Sequence, residues 1–275
     1  MVLGVALALV NRYFALTPGE WLGASRLKWA GIFFVGLVLI GIRLSLPWLR
    51  QKIVWQKAGL PYLFRLADAT PSMDADDAEN LYRLINKDPP PKGAPCPIVI
   101  GGPIGSGRTE FCAGIGTEFA FRRATVRYLS LATLLEFAAR SHNSDFFDDA
   151  GPANIAYWSW SNAQVVIIDD IGPLLAPTAH NYDDQVDHLR QVLNDQLNPI
   201  RKALARCHTV WVIGDPWGDG RIAKDDQALD RFADEIRTFC TIPGERRPDV
   251  LVAQLDHGAP ERTPRAPRVR TRYLA

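Results

Sequence analysis

The chain has 275 residues, 47% hydrophobic and 22% charged, with 31 basic against 30 acidic side chains and a formal net charge of +1. This length allows one or two domains, and the balanced charge excludes a surface that binds polyanions throughout, leaving room only for a local basic patch. Cys96, Cys112, Cys207 and Cys240 are widely spaced and form no CxxC pair, which points to reduced thiols in a cytosolic domain rather than a zinc cluster or a disulfide framework.

The chain opens on apolar sequence. Residues 29–42 carry no charged side chain, and extension through Arg43 to Leu49 gives a helix of about 31 Å, the thickness of a bilayer core. Trp29 and Trp48 stand at its two ends as interfacial anchors, and Arg43 lies where its stem reaches the headgroups. Met1–Leu16 is shorter and is interrupted by Asn11 and Arg12. It lacks a basic leader region and is left open as half of a helical hairpin or an interfacial segment. Arg50, Lys52, Lys57 and Arg65 follow the span, so that side is cytoplasmic by the positive-inside tendency. Residues 1–49 are therefore expected to be a membrane anchor, placing the protein at the inner (cytoplasmic) membrane with its remainder in the cytoplasm.

Residues 50–96 read as a stem and linker: a basic helical stretch broken at Pro61, an acidic stretch from Asp68 to Glu79, a short helix near 75–86, and Pro89–Pro91 in extended geometry. The pattern then changes. Strands are expected at 97–102, 124–130, 164–169, 208–214 and 249–255. Helices are expected at 107–122, 131–140, 183–206 and 226–239, with a polar loop at 141–152 and an aromatic-rich helix or turn at 153–163. Unbroken apolar runs such as Val165–Ile168 and Val210–Ile213 suit strands covered on both faces, the requirement of a parallel sheet between helical layers. The expected fold is a three-layer α/β P-loop NTPase with a central parallel sheet over 97–257, preceded by the transmembrane helix or hairpin. Residues 258–275, with Arg262, Arg265, Arg268, Arg270 and Arg272, read as a solvated basic tail.

Two segments carry chemistry. Gly102, Pro103, Ile104, Gly105, Ser106, Gly107, Arg108 and Thr109, followed by Glu110, have the spacing of a Walker A phosphate loop, with arginine where lysine is usual. The glycines let successive backbone N–H groups turn toward one anion, the following helix adds its N-terminal partial charge, and Thr109 offers a hydroxyl to Mg²⁺. Arg108 keeps the charge but not the compact shape of lysine, so binding of ATP with slow or absent hydrolysis is expected. Gln164–Pro173 is an apolar strand ending in Asp169 and Asp170, the Walker B arrangement. Asp169 is the candidate Mg²⁺ ligand, and Asp170 the group that orients or deprotonates water. Asp169–Gly172 also satisfies the DxxG pattern of GTPases, but the guanine-reading Asn-Lys-x-Asp is missing, which favours ATP. The histidines show no metal-ligand spacing and read as structural or surface residues.

Ile100–Thr109, Val126–Leu135 and Val165–Gly172 together resemble bacterial replication-initiator, helicase-loader and transposition-helper ATPases of the AAA+ class. The resemblance implies a sensor position at the end of the fourth strand, where Asp215 is the candidate, and an arginine finger from Leu229–Phe239, where Arg231 and Arg237 are the candidates. It also implies a protein partner or a homo-oligomer, with nucleic acid left open. The chain departs from the pattern in Arg108 and in having no room after the last expected strand for a helical lid. Two readings follow: a membrane-anchored nucleotide switch or ATPase, and an inactive P-loop scaffold that recruits a partner to the membrane.

Overall fold

The computed structural model describes residues 24–66, 74–89, 92–103, 105–140, 160–171, 182–214, 226–256 and 268–274. The chain divides into two compact units, Met1–Arg50 and Gln51–Ala275. Helix α1 (Ala24–Ala58) runs for 35 residues. Its stretch Phe33–Ala58, which holds an 18-residue window of mean hydropathy 1.6, is long and apolar enough to cross a membrane. In the first unit Phe34, Leu39 and Leu44 are 57%, 60% and 75% exposed, an apolar surface with no protein cover among the described residues. The early segment 1–16 lies outside the described residues.

The second unit is built on one sheet in the order β2-β3-β4-β1-β5-β6. Strands β1 (Ile98–Gly102), β2 (Val126–Ser130), β3 (Val165–Asp169), β4 (His208–Gly214) and β5 (Val250–Asp256) are parallel, and β6 (Arg268–Leu274) returns antiparallel along β5. Side-chain alternation sends Ile98, Ile100, Val165, Ile167, Val210 and Val212 to one face, where they pack with Phe111, Ile115 and Phe119 of α3 (Arg108–Phe121). The other residues of the same strands, among them Val99, Val166, Ile168 and Trp211, meet a second helical layer. That layer is α4 (Leu131–Arg140), α5 (Tyr182–Gln191) and α7 (Asp226–Cys240). Burial on both faces is why these strands read as continuous apolar runs.

Helix α2 (Ala75–Asn86) buries Leu81, Leu84 and Ile85 in the same cluster as α3. Ala58, Leu60 and Leu66 join it too, so much of 58–86 belongs to the core of the second unit. Leu60 and Phe64 fill the positions where side chains of Gly116 and Gly114 would stand on α3, and Arg65 pairs with Glu118 at 2.9 Å.

Two expectations need correction. The helix expected over 183–206 is broken: α5 ends at Gln191, a π turn covers Val192–Gln196, a 3₁₀ turn Asn198–Ile200, and only α6 (Arg201–Leu204) resumes the α form. Pro199 has no N–H to donate and its ring crowds the preceding turn. The basic end is not solvated throughout, because Arg268–Leu274 forms β6. Val269 and Thr271 are buried while Arg270 is exposed, the period-two alternation of a half-buried edge strand. Asp77 of α2 accepts from the Thr271 N–H at 2.6 Å, and Arg272 reaches Asp230 of α7 at 2.7 Å, so side chains from both helical layers hold the edge.

Candidate functional site

Parallel strands share one polarity, so Gly102, Asp169 and Gly214, the last residues of β1, β3 and β4, stand on the same carboxyl edge of the sheet. That edge is where open α/β sheets bind ligands. Only β4 separates β1 from β3, which sets the two segments about 10 Å apart at the ordinary strand spacing. Alternation fixes the side as well: Gly102, Asp169 and Gly214 share the face that carries α3.

The loop between β1 and α3 requires its glycines. Gly105 and Gly107 both have φ of +79°, the left-handed region that costs other residues about 1–2 kcal/mol. A Cβ on Gly102 would come within 2.7 Å of the Leu255 carbonyl oxygen and of Ser106 Oγ. The Ser106 N–H closes the turn onto the Pro103 carbonyl at 3.2 Å, and the Phe111 N–H bonds the Gly107 carbonyl at 2.8 Å to start α3. Pro103 and Ser106 are buried, Gly107, Arg108 and Thr109 are half-buried, and Glu110 is exposed. Ser106 Oγ is buried without a hydrogen-bond partner among the described residues. Ile104 lies outside the described residues.

Arg108 turns back rather than outward. Its Nη1 donates to the Gly102 carbonyl, its Nη2 lies 3.3 Å from where a Gly214 Cβ would stand, and its charge acts on Asp170. Asp169 is 3% exposed and held from two sides: Oδ2 accepts from the Tyr128 hydroxyl at 2.6 Å, and Oδ1 from the Asp170 N–H at 2.8 Å. Asp170 is exposed and adopts a φ of +57°. Desolvation and the neighbouring Asp169 raise its pKa above the ordinary carboxylate value, with Arg108 opposing. Burial, reinforced by Asp169, drives the Tyr128 phenol and the Cys112 thiol far upward, so both stay protonated. Burial and Glu110 do the same to Tyr62, which brings the segment after α1 to the first turn of α3.

The five parallel strands between helical layers, the glycine loop feeding α3 and the acidic end of β3 make one architecture. This is a P-loop α/β fold. No family model and no curated protein matches the chain. It is similar to a crystal structure of DnaI at 15% identity, over 73% of this chain and 90% of that one, with a TM-score of 0.33. It is also similar to a crystal structure of the DnaC helicase loader at 12% identity, over 58% of this chain and 80% of that one, with a TM-score of 0.34. The fold is defined by the strand order and by the loop that follows β1.

The residues present fit a triphosphate and its metal. Positive-φ glycines, a cradle that a single Cβ would obstruct and an orphaned Ser106 hydroxyl are what a backbone nest for phosphate needs. Thr109 and Asp169 carry oxygens that could hold Mg²⁺, a hard ion that needs only one or two protein oxygens beside those of phosphate and water.

The remaining candidates are dispersed. Arg231 pairs with Asp183 across a groove between α5 and α7. Arg237 Nε donates to the Pro248 carbonyl at 3.1 Å, just before β5 and thus toward the amino edge of the sheet. Each is tied within its own chain. Asp215 lies outside the described residues, one position beyond Gly214. Reading the sequence alone missed Tyr128 as a partner of Asp169. The signal lay in its parity: Ser130 pairs with Asp169 in register, so Tyr128, two residues earlier, shares its face.

Proposed function

We propose that the second unit binds ATP with Mg²⁺ at the carboxyl edge of its sheet, and that the protein is a nucleotide-dependent switch or ATPase held at the cytoplasmic membrane face by α1. One observation carries the nucleotide reading: the glycine loop and the Asp169 carboxylate occupy the same edge and the same α3 face, with only β4 between their strands. The loop N–H groups and Arg108 would take the phosphates, Thr109 and Asp169 the metal, and Asp170 the attacking water. When bound, Mg²⁺ neutralises charge that builds up between the outer phosphates. The elevated pKa of Asp170 suits a proton acceptor better than an unperturbed carboxylate would.

Membrane attachment is supported by the length, hydropathy and bare apolar surface of α1. The proposed partner of the switch is a protein or another copy of the chain, reached through Arg231 or Arg237, with nucleic acid left open. Helicase loading belongs to the DnaC loader and is not carried over, because a shared fold does not transfer a task.

A second reading has its own observation. Arg108 is folded onto the Gly102 carbonyl, where it holds the loop instead of reaching for a phosphate. A scaffold that binds ATP without turning it over is the consequence if that contact persists. ATP binding and hydrolysis measured beside Arg108→Lys and Asp170→Asn separate the two. Turnover lost in Asp170→Asn supports the ATPase, and binding whose turnover appears only with Arg108→Lys supports the scaffold. Absence of ATP binding in the unmodified chain refutes both.

A further inference from the structure

Tyr128 lies outside the phosphate loop and outside the acidic pair, yet its hydroxyl donates to Asp169 Oδ2 at 2.6 Å. We propose that Tyr128 is a positioning residue for the metal, fixing the Asp169 carboxylate so that it meets Mg²⁺ in one orientation.

The sheet builds this contact. Ser130 of β2 is the register partner of Asp169, and Tyr128 precedes it by one full pleat. The tyrosine therefore stands diagonally behind the aspartate on the same face, about 7–8 Å away at the backbone, a span its ring length covers. Below the hydroxyl the ring packs against the α3-side core cluster, which limits its freedom. The second oxygen is held by the Asp170 N–H at 2.8 Å.

A buried carboxylate with one donor on each oxygen cannot rotate without breaking a bond. Each oxygen still has a second lone pair for a metal or its water. Donors behind a metal-binding carboxylate set its aim and its affinity, and removing one typically weakens metal affinity by about 10–100-fold. Tyr128 differs in this from a residue that only fills space, since phenylalanine would fill the same space without the donor.

The inference rests on the nucleotide reading above, and one experiment distinguishes the failure of each. ATP binding by the full detergent-solubilised chain is titrated against Mg²⁺, and repeated in EDTA, for the unmodified protein and Tyr128→Phe. The expected result is a Mg²⁺ requirement about tenfold higher in Tyr128→Phe, with unchanged metal-free ATP affinity. A Mg²⁺ requirement equal to that of the unmodified chain overturns the positioning role while leaving the nucleotide reading intact. Equal losses with and without metal also overturn it, marking Tyr128 as structural. An unmodified chain that binds no ATP in either condition brings down both.

Discussion

Gly101 and Gly102 are neighbours at the end of β1, and alanine at each position separates the loop from the core. The two Cβ atoms would point to opposite faces. At Gly101 the new methyl meets Leu229 Cδ1 at 2.6 Å, the far end of a flexible side chain on α7. At Gly102 it meets the Leu255 carbonyl oxygen at 2.7 Å, which is backbone and cannot rotate away, and Ser106 Oγ, also at 2.7 Å, inside the phosphate loop. Forcing a methyl into packed surroundings costs about 1–3 kcal/mol, so both variants lose stability in that range. Only Gly102→Ala transmits the strain to the loop. Relief there moves Ser106 or the strand end that carries the loop, and misaiming two or three N–H donors worth about 1.5–3 kcal/mol each to a charged ligand lowers ATP affinity at least tenfold. Urea unfolding and equilibrium ATP binding, measured on the same samples, are the assays. Gly101→Ala should bind ATP within about threefold of the unmodified chain, since 1.4 kcal/mol is a factor of ten and the loop is untouched. Comparable affinity losses in both variants, or none in Gly102→Ala, would refute the reasoning.

Further outcomes follow from groups away from the loop. Burial pulls the His208 pKa from 6.5 down to about 4. The folded imidazole then stays neutral while the unfolded chain takes up a proton below about pH 6.5, so this contribution of about 3 kcal/mol is complete above that pH and disappears as pH falls toward 4. Urea unfolding between pH 7.5 and 4 should show about 2 kcal/mol more acid loss by pH 5 in the unmodified chain than in His208→Gln. Asp77→Ala strands the N–H of buried Thr271 and should cost about 1–3 kcal/mol, read as a lower unfolding midpoint and faster hydrogen exchange along β6. Leu60→Ala should cost about 2–5 kcal/mol, the figure for a core leucine, although Leu60 precedes the first strand by a long way.

The central strands and the loop were legible because their signals are local. A strand covered on both faces is an apolar run, and a phosphate loop needs glycine at fixed steps, so Ile98–Thr109 and Val165–Asp170 stand out without any partner. What escaped depends on distant contacts. Strand β6 was hidden because Arg268, Arg270 and Arg272 dominate its composition, and only pairing with β5 makes Val269 and Thr271 an inward row. The segment 58–66 looks like a stem until Gly114 and Gly116 are seen to leave room for Phe64 and Leu60. Tyr128 became part of the site through register with β3, which no spacing within β2 encodes.

Mn²⁺ in place of Mg²⁺ reports on the joint site most directly, because its electron paramagnetic resonance signal registers both bound metal and coupling to the phosphorus of ATP. The account predicts a Mn²⁺·ATP complex with phosphorus coupling in the unmodified chain, weakened at least tenfold in Thr109→Val and in Asp169→Asn alike. Binding that depends on Thr109 but is indifferent to Asp169 would contradict it, since the loop and the acidic strand would then not share one ligand.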